Sequence, residues 1–212
     1  MNPEDIPSSY LDRVAQIESR GNPAARNRAS SAGGLFQLTR GTWDAIRRSH
    51  PELRLTAEGR FNAAQSVRAM RALTADNARF LRDYTGKTPS NSELYLAHFL
   101  GSVGALTIIA EAPATPVRAV VSPAVIRGNP FLRSMKVRDL RAWAAAKVPD
   151  YLPNPMLTTK PLWLTKDERP LDGIRVSPNE SRQRIQDGSV EPGSDLDRRI
   201  REGLVSPLPR GG

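Results

Sequence analysis

The chain has 212 residues, 39% of them hydrophobic and 25% charged, which suits one compact domain with an additional segment. It contains no cysteine and only two histidines, which excludes disulfides, thiolate chemistry and a histidine-rich metal centre. No stretch of about 18 apolar residues is present, so we expect no membrane span. We also expect no cofactor and no metal ion.

The whole chain has a formal net charge of +9, and this positive charge is concentrated in its first part. Residues 1–150 hold 21 Lys and Arg against 13 Asp and Glu, whereas residues 151–212 hold 10 against 9. Such a field favours a polyanionic partner: nucleic acid, an acidic membrane face or an anionic cell-wall polymer. Charge alone does not choose among these three.

Helical spacing of apolar residues predicts three helices in the first 84 residues. The first covers residues 4–19 and should end at the Gly-Asn-Pro run that follows, which places Glu18 in its last turn. The second covers 40–50, with Thr42 as its candidate cap. The third covers 60–84 and carries arginines on the face opposite its apolar stripe.

The second half of the domain is predicted to contain further helices separated by a loop. "SNSE" at residues 90–93 is typical of a capping box, and the apolar segment that it opens should be interrupted at Gly101 and Gly104 before ending near Glu111. Prolines at 113, 116, 123 and 130 predict a loop, with a weak strand candidate at 117–121. A last helix is predicted over 136–147.

Prolines are frequent and aliphatic residues few from residue 149 onward, so this part cannot bury much surface by itself. We therefore predict a folded domain over residues 1–148 and a proline-rich, extended or disordered tail over 149–212. A short helix over 194–204 is a candidate within the tail. The nearly balanced charge of the tail suits docking onto other proteins of a larger assembly.

Three short motifs carry the functional signal. They read "ESRGNPAA", "SSAGGLFQLT" and "YLAHFLG", and in this order and spacing they resemble the soluble lytic transglycosylase (SLT) family. That family has a goose-type-lysozyme-like fold and cleaves the glycan strands of peptidoglycan. The resemblance covers roughly residues 5–147 and implies a mainly α, lysozyme-like domain.

The match differs in quality from motif to motif. The family's Glu-Ser motif with a glycine soon after corresponds to residues 18–21, and its Ser/Gly-Ala-x-Gly-Leu-Met/Phe-Gln run corresponds to residues 31–37. The third motif is usually Ala-Tyr-Asn-x-Gly, but residues 97–101 read Ala-His-Phe-Leu-Gly. The asparagine is therefore lost, and the nearest tyrosine is Tyr95, two positions earlier.

The resemblance implies that Glu18 is the single catalytic acid and base, buried beside the apolar Leu-Phe wall of the second motif. One carboxylate suffices in a transglycosylase, because the substrate's N-acetyl group stabilises the oxocarbenium-like centre and the muramoyl 6-hydroxyl replaces water. The products then end in 1,6-anhydro-muramic acid. A true lysozyme would need a second carboxylate, for which Asp44, Glu52 and Glu58 are nearest in sequence.

The second and third motifs also supply the implied substrate-binding residues, namely Ser31, Gly34, Leu35, Phe36, Gln37, Tyr95 and His98. The glycines would let the backbone approach a sugar closely. Plainer structural roles stand beside these. Gln37 suits hydrogen bonding within its own loop, Phe36 and Tyr95 suit the core, Ser31 suits a turn, and His98 suits a core or groove wall.

Two other functions remain open at this stage. The altered third motif is compatible with an inactive lysozyme-like module that binds the wall or serves as a scaffold. The basic charge alone is compatible with a DNA-associated protein, although no helix-turn-helix or aromatic-basic pattern supports nucleic acid as the partner. Peptidoglycan glycan strands are the partner that the motifs favour.

The opening "MNPEDIPSSY" lacks the basic and apolar regions of a secretory signal, although peptidoglycan lies outside the cytoplasm. The "ELYLAHFLG" variant is similar to lytic transglycosylase domains of phage structural proteins and proteobacterial homologues. We therefore expect a phage virion protein that acts in the host periplasm during genome ejection. A protein of the bacterial periplasm or cell envelope is the alternative.

Overall fold

The computed structural model of the chain describes residues 2–151, which fall into two compact units at residues 2–75 and 76–150. The mainly α fold is confirmed, since the described residues form helices and only isolated β-bridges. Almost all of the predicted tail, including the candidate helix over 194–204, lies outside the described residues. The helices are α1 (Ser8–Ser19), α2 (Arg40–Ser49), α3 (Ala63–Thr85), α4 (Asn91–Ala110), α5 (Pro123–Gly128) and α6 (Val137–Lys147).

α1 buries one apolar face and ends where its sequence predicts. Tyr10, Leu11 and Val14 are completely buried. The helix ends at Ser19 because Arg20 turns into the left-handed conformation, with φ of 56°. The helix start differs from the prediction, since Pro3–Asp5 forms a separate 3-10 turn before α1.

The cap of α2 was predicted at the wrong threonine. Thr39 is the N-cap, and its side-chain oxygen accepts a hydrogen bond of 3.2 Å from the backbone N–H of Thr42. An N-cap lies three residues before the N–H that it satisfies, and "TRGT" offers a threonine at both ends of that interval. Inside α2, Trp43 is completely buried and donates from Nε1 to the carbonyl of Thr56 at 2.9 Å.

α3 begins three residues later than predicted, because Gly59–Phe61 forms a 3-10 turn that stands apart from the helix. Asn62 marks the new boundary, and its side chain accepts a hydrogen bond of 3.0 Å from the N–H of Gln65. Arg71 departs from the predicted solvent-facing role. It donates to the carbonyl of Ile6 at 2.7 Å and so anchors the turn that precedes α1.

α4 opens with the predicted capping box and is kinked at the predicted glycine. Ser90 and Glu93 exchange side-chain-to-backbone hydrogen bonds of 2.7 and 3.3 Å. Gly101 adopts φ of 78° and ψ of 162°, so the helical path is broken there, whereas Gly104 stays helical. α4 packs against α6.

The segment predicted as a loop with a strand is instead a series of short helical turns. Val117–Ala119 forms a 3-10 turn, so the strand candidate at 117–121 was wrong. Pro123 begins α5 and Pro130 begins the 3-10 turn Pro130–Ser134. Proline is well suited to the first helical position, where its missing N–H has no intrahelical partner in any case. These prolines therefore mark helix starts.

Among residues 2–151, α4 alone has the length and composition of a membrane span, with 20 residues and a mean hydropathy of 1.5. Core helices of soluble proteins pass the same test, and α4 has α6 packed against it. This is weak evidence for membrane insertion.

Arg141 closes the carboxyl end of α4. Its guanidinium donates to the carbonyls of Ile108 at 2.7 and 3.0 Å, of Ile109 at 2.7 Å and of Glu111 at 3.0 Å. These are terminal carbonyls that the helix itself does not satisfy. One cation thus joins α6 to the end of α4.

We expect Arg141→Ala to lower the free energy of unfolding by about 2 kcal/mol, because a charged donor is lost from three carbonyls. Urea denaturation monitored by circular dichroism measures this change. Arg138→Ala is the matched control: its side chain is 61% exposed and should shift stability by less than about 0.5 kcal/mol. Equal losses in the two variants would contradict the assigned role of Arg141.

Candidate functional site

Glu18 lies in the last turn of α1, on the same helix face as the buried residues Leu11, Val14 and Ala15. Its side chain is half-buried, so it is less enclosed than the sequence led us to expect. Directly after it, Ser19 donates from Oγ to the carbonyl of Ala15 at 3.1 Å. The Ser19 hydroxyl is therefore engaged with the backbone of its own helix.

A continuous set of hydrogen bonds joins the end of α1 to the glycine-rich loop of residues 31–37. The N–H of Asn22 donates to Ser19 O and the N–H of Ala25 donates to Asn22 O, both at 3.2 Å. The carbonyl of Ala25 then accepts from the N–H of Gly34 at 2.9 Å and from Gln37 Nε2 at 3.5 Å. The Ala25 carbonyl is therefore the junction that fixes the loop against the helix carrying the acid.

Gly33 and Gly34 are needed because the protein itself approaches them closely. A Cβ on Gly33 would lie 2.6 Å from the ring of Phe61, and one on Gly34 would overlap the carbonyl oxygen of Arg60. Gly34 also has φ of 77°, in the region that favours glycine. We expected the glycines to admit a sugar to the backbone. In this structure the space beside them is filled by the 3-10 turn Gly59–Phe61.

Arg60 locks this arrangement from the other side. Its side chain is 7% exposed, and Nη1 donates to the carbonyl of Ser31 at 2.5 Å. Its own carbonyl accepts from Ser66 Oγ at 2.7 Å. Two guanidinium groups flank the Phe61 ring, that of Arg26 at 4.1 Å and that of Arg60 at 4.8 Å from its centroid. Cation–π contacts of this kind strengthen the packing of the turn on the loop.

Sequence reasoning missed this clamp. The "GG" pair indicates that another group approaches the backbone closely, but the sequence does not identify whether that group belongs to the protein or to a ligand. Arg60 falls 29 residues after Ser31 and was counted with the third helix. Only the three-dimensional contact identifies it.

Ser31 is an exposed connector within the loop. Its Oγ accepts from the N–H of Arg40 at 3.2 Å, at the start of α2, and its carbonyl accepts from Arg60. These contacts fit the turn-forming role that the sequence analysis named as the alternative to substrate binding for Ser31.

Leu35 and Phe36 are 0% and 1% exposed. Their side chains are core residues of the first unit in this structure and offer no surface to a glycan. They form the floor on which the loop rests.

Gln37 is half-buried and has φ of 47°, an uncommon conformation for a residue with a side chain. Its Nε2 donates to Gly34 O at 3.1 Å as well as to Ala25 O. The amide therefore holds its own loop in shape. Contact with substrate through the rest of the amide stays a prediction.

Tyr95 and His98 belong to the second unit and lie on α4. Tyr95 is 3% exposed, and its ring centroid lies 5.6 Å from that of Trp143. The ring of His98, a half-buried residue, stacks at 6.1 Å from that of Tyr95. Tyr95 is thus a core residue of this unit, and its predicted contact with sugar remains a prediction, as does that of His98.

Two of the three alternative carboxylates of the first unit contact basic side chains. Asp44 Oδ1 lies 3.2 Å from Arg47 Nη1, and Glu52 Oε1 lies 3.0 Å from His50 Nδ1. Glu58 is exposed. Within residues 2–151, no group of three or more His, Cys, Asp or Glu side chains is arranged to hold a metal ion.

A comparison with protein families gives a match over the part of the chain that contains Glu18 and the glycine-rich loop. The family model described as "Transglycosylase SLT domain" matches residues 1–88. The first 88 residues of the chain therefore match an SLT domain. The match includes Glu18 and the loop of residues 31–37, and it ends before the third motif. SLT domains are lytic transglycosylases that act on peptidoglycan.

Gly34→Ala should lower the free energy of unfolding by about 2 to 4 kcal/mol, because the methyl group meets the Arg60 carbonyl and the left-handed conformation is strained. Thermal or urea unfolding measures the change. Gly41→Ala is the matched control, since a Cβ there meets nothing within 4 Å and the residue lies in α2. It should be neutral or stabilising by up to about 1 kcal/mol. A Gly34→Ala protein as stable as the control would contradict the packing role of the loop.

Proposed function

We propose that this SLT protein cleaves the β-1,4 bond between N-acetylmuramic acid and N-acetylglucosamine, with Glu18 as the only acid and base. The observation that carries the proposal is the hydrogen-bonded path from Ser19 through Ala25 to Gly34. This path joins the residue after Glu18 to the loop of the second motif, and both parts lie within the SLT match, which supports the proposal.

The proposed reaction needs one proton and no water. Glu18 in its protonated form donates to the glycosidic oxygen, and the bond from that oxygen to the muramoyl C1 breaks. The acetamido oxygen of the same sugar stabilises the positive charge at C1. The Glu18 carboxylate then takes the proton of the 6-hydroxyl, whose oxygen bonds to C1 and closes the 1,6-anhydro ring. The enzyme ends in the state in which it began.

The partners of the other carboxylates support a single-acid mechanism over a hydrolytic one. A hydrolase pairs two carboxyl groups across the scissile bond. Asp44 and Glu52 are held by basic side chains, and both lie beyond the glycine-rich loop in sequence. A half-buried Glu18 is also reachable by a substrate from solvent.

Glu18→Gln should reduce the release of anhydro-muramoyl fragments from purified peptidoglycan at least about 100-fold, because the amide cannot supply the proton. Liquid chromatography with mass detection measures the fragments. Asp44→Asn, Glu52→Gln and Glu58→Gln are controls that should retain activity. A lysozyme would give a different result. One of these variants would lose activity at unchanged stability, and the wild-type products would carry reducing ends formed by the addition of water.

A catalytically weak wall-binding module is the second candidate, favoured by the departure from the family pattern at residues 97–101. The same digestion separates the two functions. Binding to peptidoglycan without any fragment release by the wild-type protein would support the module and contradict the enzyme.

The phage virion is the proposed place of action, and the host periplasm the proposed compartment, with the bacterial cell envelope as the alternative. The third-motif variant "ELYLAHFLG" supports this assignment through its resemblance to phage structural proteins. Residues 149–212 are the proposed docking segment for other particle proteins. We expect mass spectrometry to find the protein in purified virions. Recovery from bacterial periplasm, with absence from particles, would contradict this assignment.

A further inference from the structure

Three aromatic side chains of the second unit form a partly exposed cluster, here called the aromatic surface: Phe99, Phe131 and Trp143. The ring centroids of Phe99 and Trp143 are 5.1 Å apart, those of Phe131 and Trp143 are 5.6 Å apart, and those of Phe99 and Phe131 are 6.2 Å apart. Each ring therefore contacts both of the others. Phe131 is 42% exposed, and the other two are half-buried.

The three rings come from different elements and are held from below. Phe99 lies in α4 just before the kink at Gly101, Phe131 lies in the turn Pro130–Ser134, and Trp143 lies in α6. Tyr95, which is 3% exposed, packs against Trp143 at 5.6 Å. The surface is therefore built on a buried residue and is organised before any ligand binds.

The folded protein leaves apolar area exposed at this place. A single exposed aromatic residue is unremarkable, but a contiguous patch marks a binding surface. Gly101 adds to the opening, because it is exposed and a Cβ there would meet nothing within 4 Å.

Phe131 and Trp143 lie in a part of the sequence that is rich in basic residues. Residues 112–148 contain seven Lys and Arg and one acidic residue, Asp139. Lys147 Nζ lies 5.9 Å from the centroid of the Trp143 ring, and Arg133 is exposed in the turn that carries Phe131. The ligand should therefore combine a flat apolar face with negative charge.

We propose that the aromatic surface binds the pyranose rings of an acidic glycan strand, with Phe131 and Trp143 as the main contacts. This inference rests on the proposed function. A β-linked amino sugar in its chair form presents axial C–H groups on each face, and these pack on the electron-rich face of an aromatic ring. The carboxylates of the stem peptides, and of lactyl groups that carry no peptide, complement these basic residues. The second unit would thus retain the strand independently of cleavage.

Binding is measured in the Glu18→Gln background, so that the strand is not consumed. Phe131→Ala should weaken binding to purified peptidoglycan, assayed by sedimentation of the insoluble wall, about three- to tenfold. Tyr84→Ala is the matched control: Tyr84 is an equally exposed aromatic residue of the second unit, at 41%, and packs on Phe80 at 4.6 Å. It should leave binding unchanged.

Two further variants separate the ring contacts from the charge. A neutral oligomer of N-acetylglucosamine should change the tryptophan fluorescence of the protein, and Trp143→Phe should abolish the change while oligomer binding persists by calorimetry. Lys147→Gln should weaken binding to peptidoglycan but not to the neutral oligomer. If these residues contributed only to stability, the variants would not change the fluorescence response or the difference between peptidoglycan and oligomer binding.

Unchanged peptidoglycan binding in Phe131→Ala would overturn the inference, as would an equal loss in Tyr84→Ala. A concentration-dependent dimer in analytical ultracentrifugation that Phe131→Ala dissociates would show that a second copy of the chain covers the surface. Competition by single-stranded DNA but not by the oligomer would assign it to nucleic acid. If the proposed function failed, the result would be different. Binding to peptidoglycan would be intact, but the wild-type protein would release no anhydro fragments.

Discussion

The close packing of Gly34 on the carbonyl of Arg60 is the constraint on which the site depends. Only a hydrogen fits between the two backbones, and this lets the glycine-rich loop lie flat against the turn Gly59–Phe61. The loop in turn donates to the Ala25 carbonyl, which closes the segment that leaves α1. Glu18 is one residue from the start of that segment. The segment that follows Glu18 is therefore held, through the loop, by a contact with Arg60, a residue distant in sequence.

The residues of the second motif have structural roles that a simple sugar-binding loop would not require. Its apolar side chains, Leu35 and Phe36, form core, and its amide, Gln37, holds the loop in shape. The motif thus acts first as a support for Glu18. Such support matters for acid–base chemistry, because the proton must be delivered to one oxygen in one geometry. A motif that looks like a set of ligand contacts can thus instead form the structural support of its neighbours.

The sequence predicted those features of the fold that depend on interactions between residues close together in the chain. The apolar spacing of α1, the capping box of Ser90 and Glu93 and the kink at Gly101 all depend on neighbours within a few residues, and all were predicted. The cap at Thr39 was missed because two threonines compete within one turn, and the strand at 117–121 was wrong because its β-branched residues begin short turns instead. The clamp of Arg60 on Ser31 and the gathering of Phe99, Phe131 and Trp143 depend on contacts distant in sequence, which spacing does not reveal.

The source of the oxygen at the new sugar end tests the central claim most directly. Peptidoglycan digested by the protein in water enriched in heavy oxygen should give anhydro-muramoyl ends with no heavy oxygen, because the 6-hydroxyl of the sugar closes the ring. Heavy oxygen incorporated at C1 of the muramoyl product would show that water attacks that carbon. A single glutamate acting without water would then be the wrong account of this site.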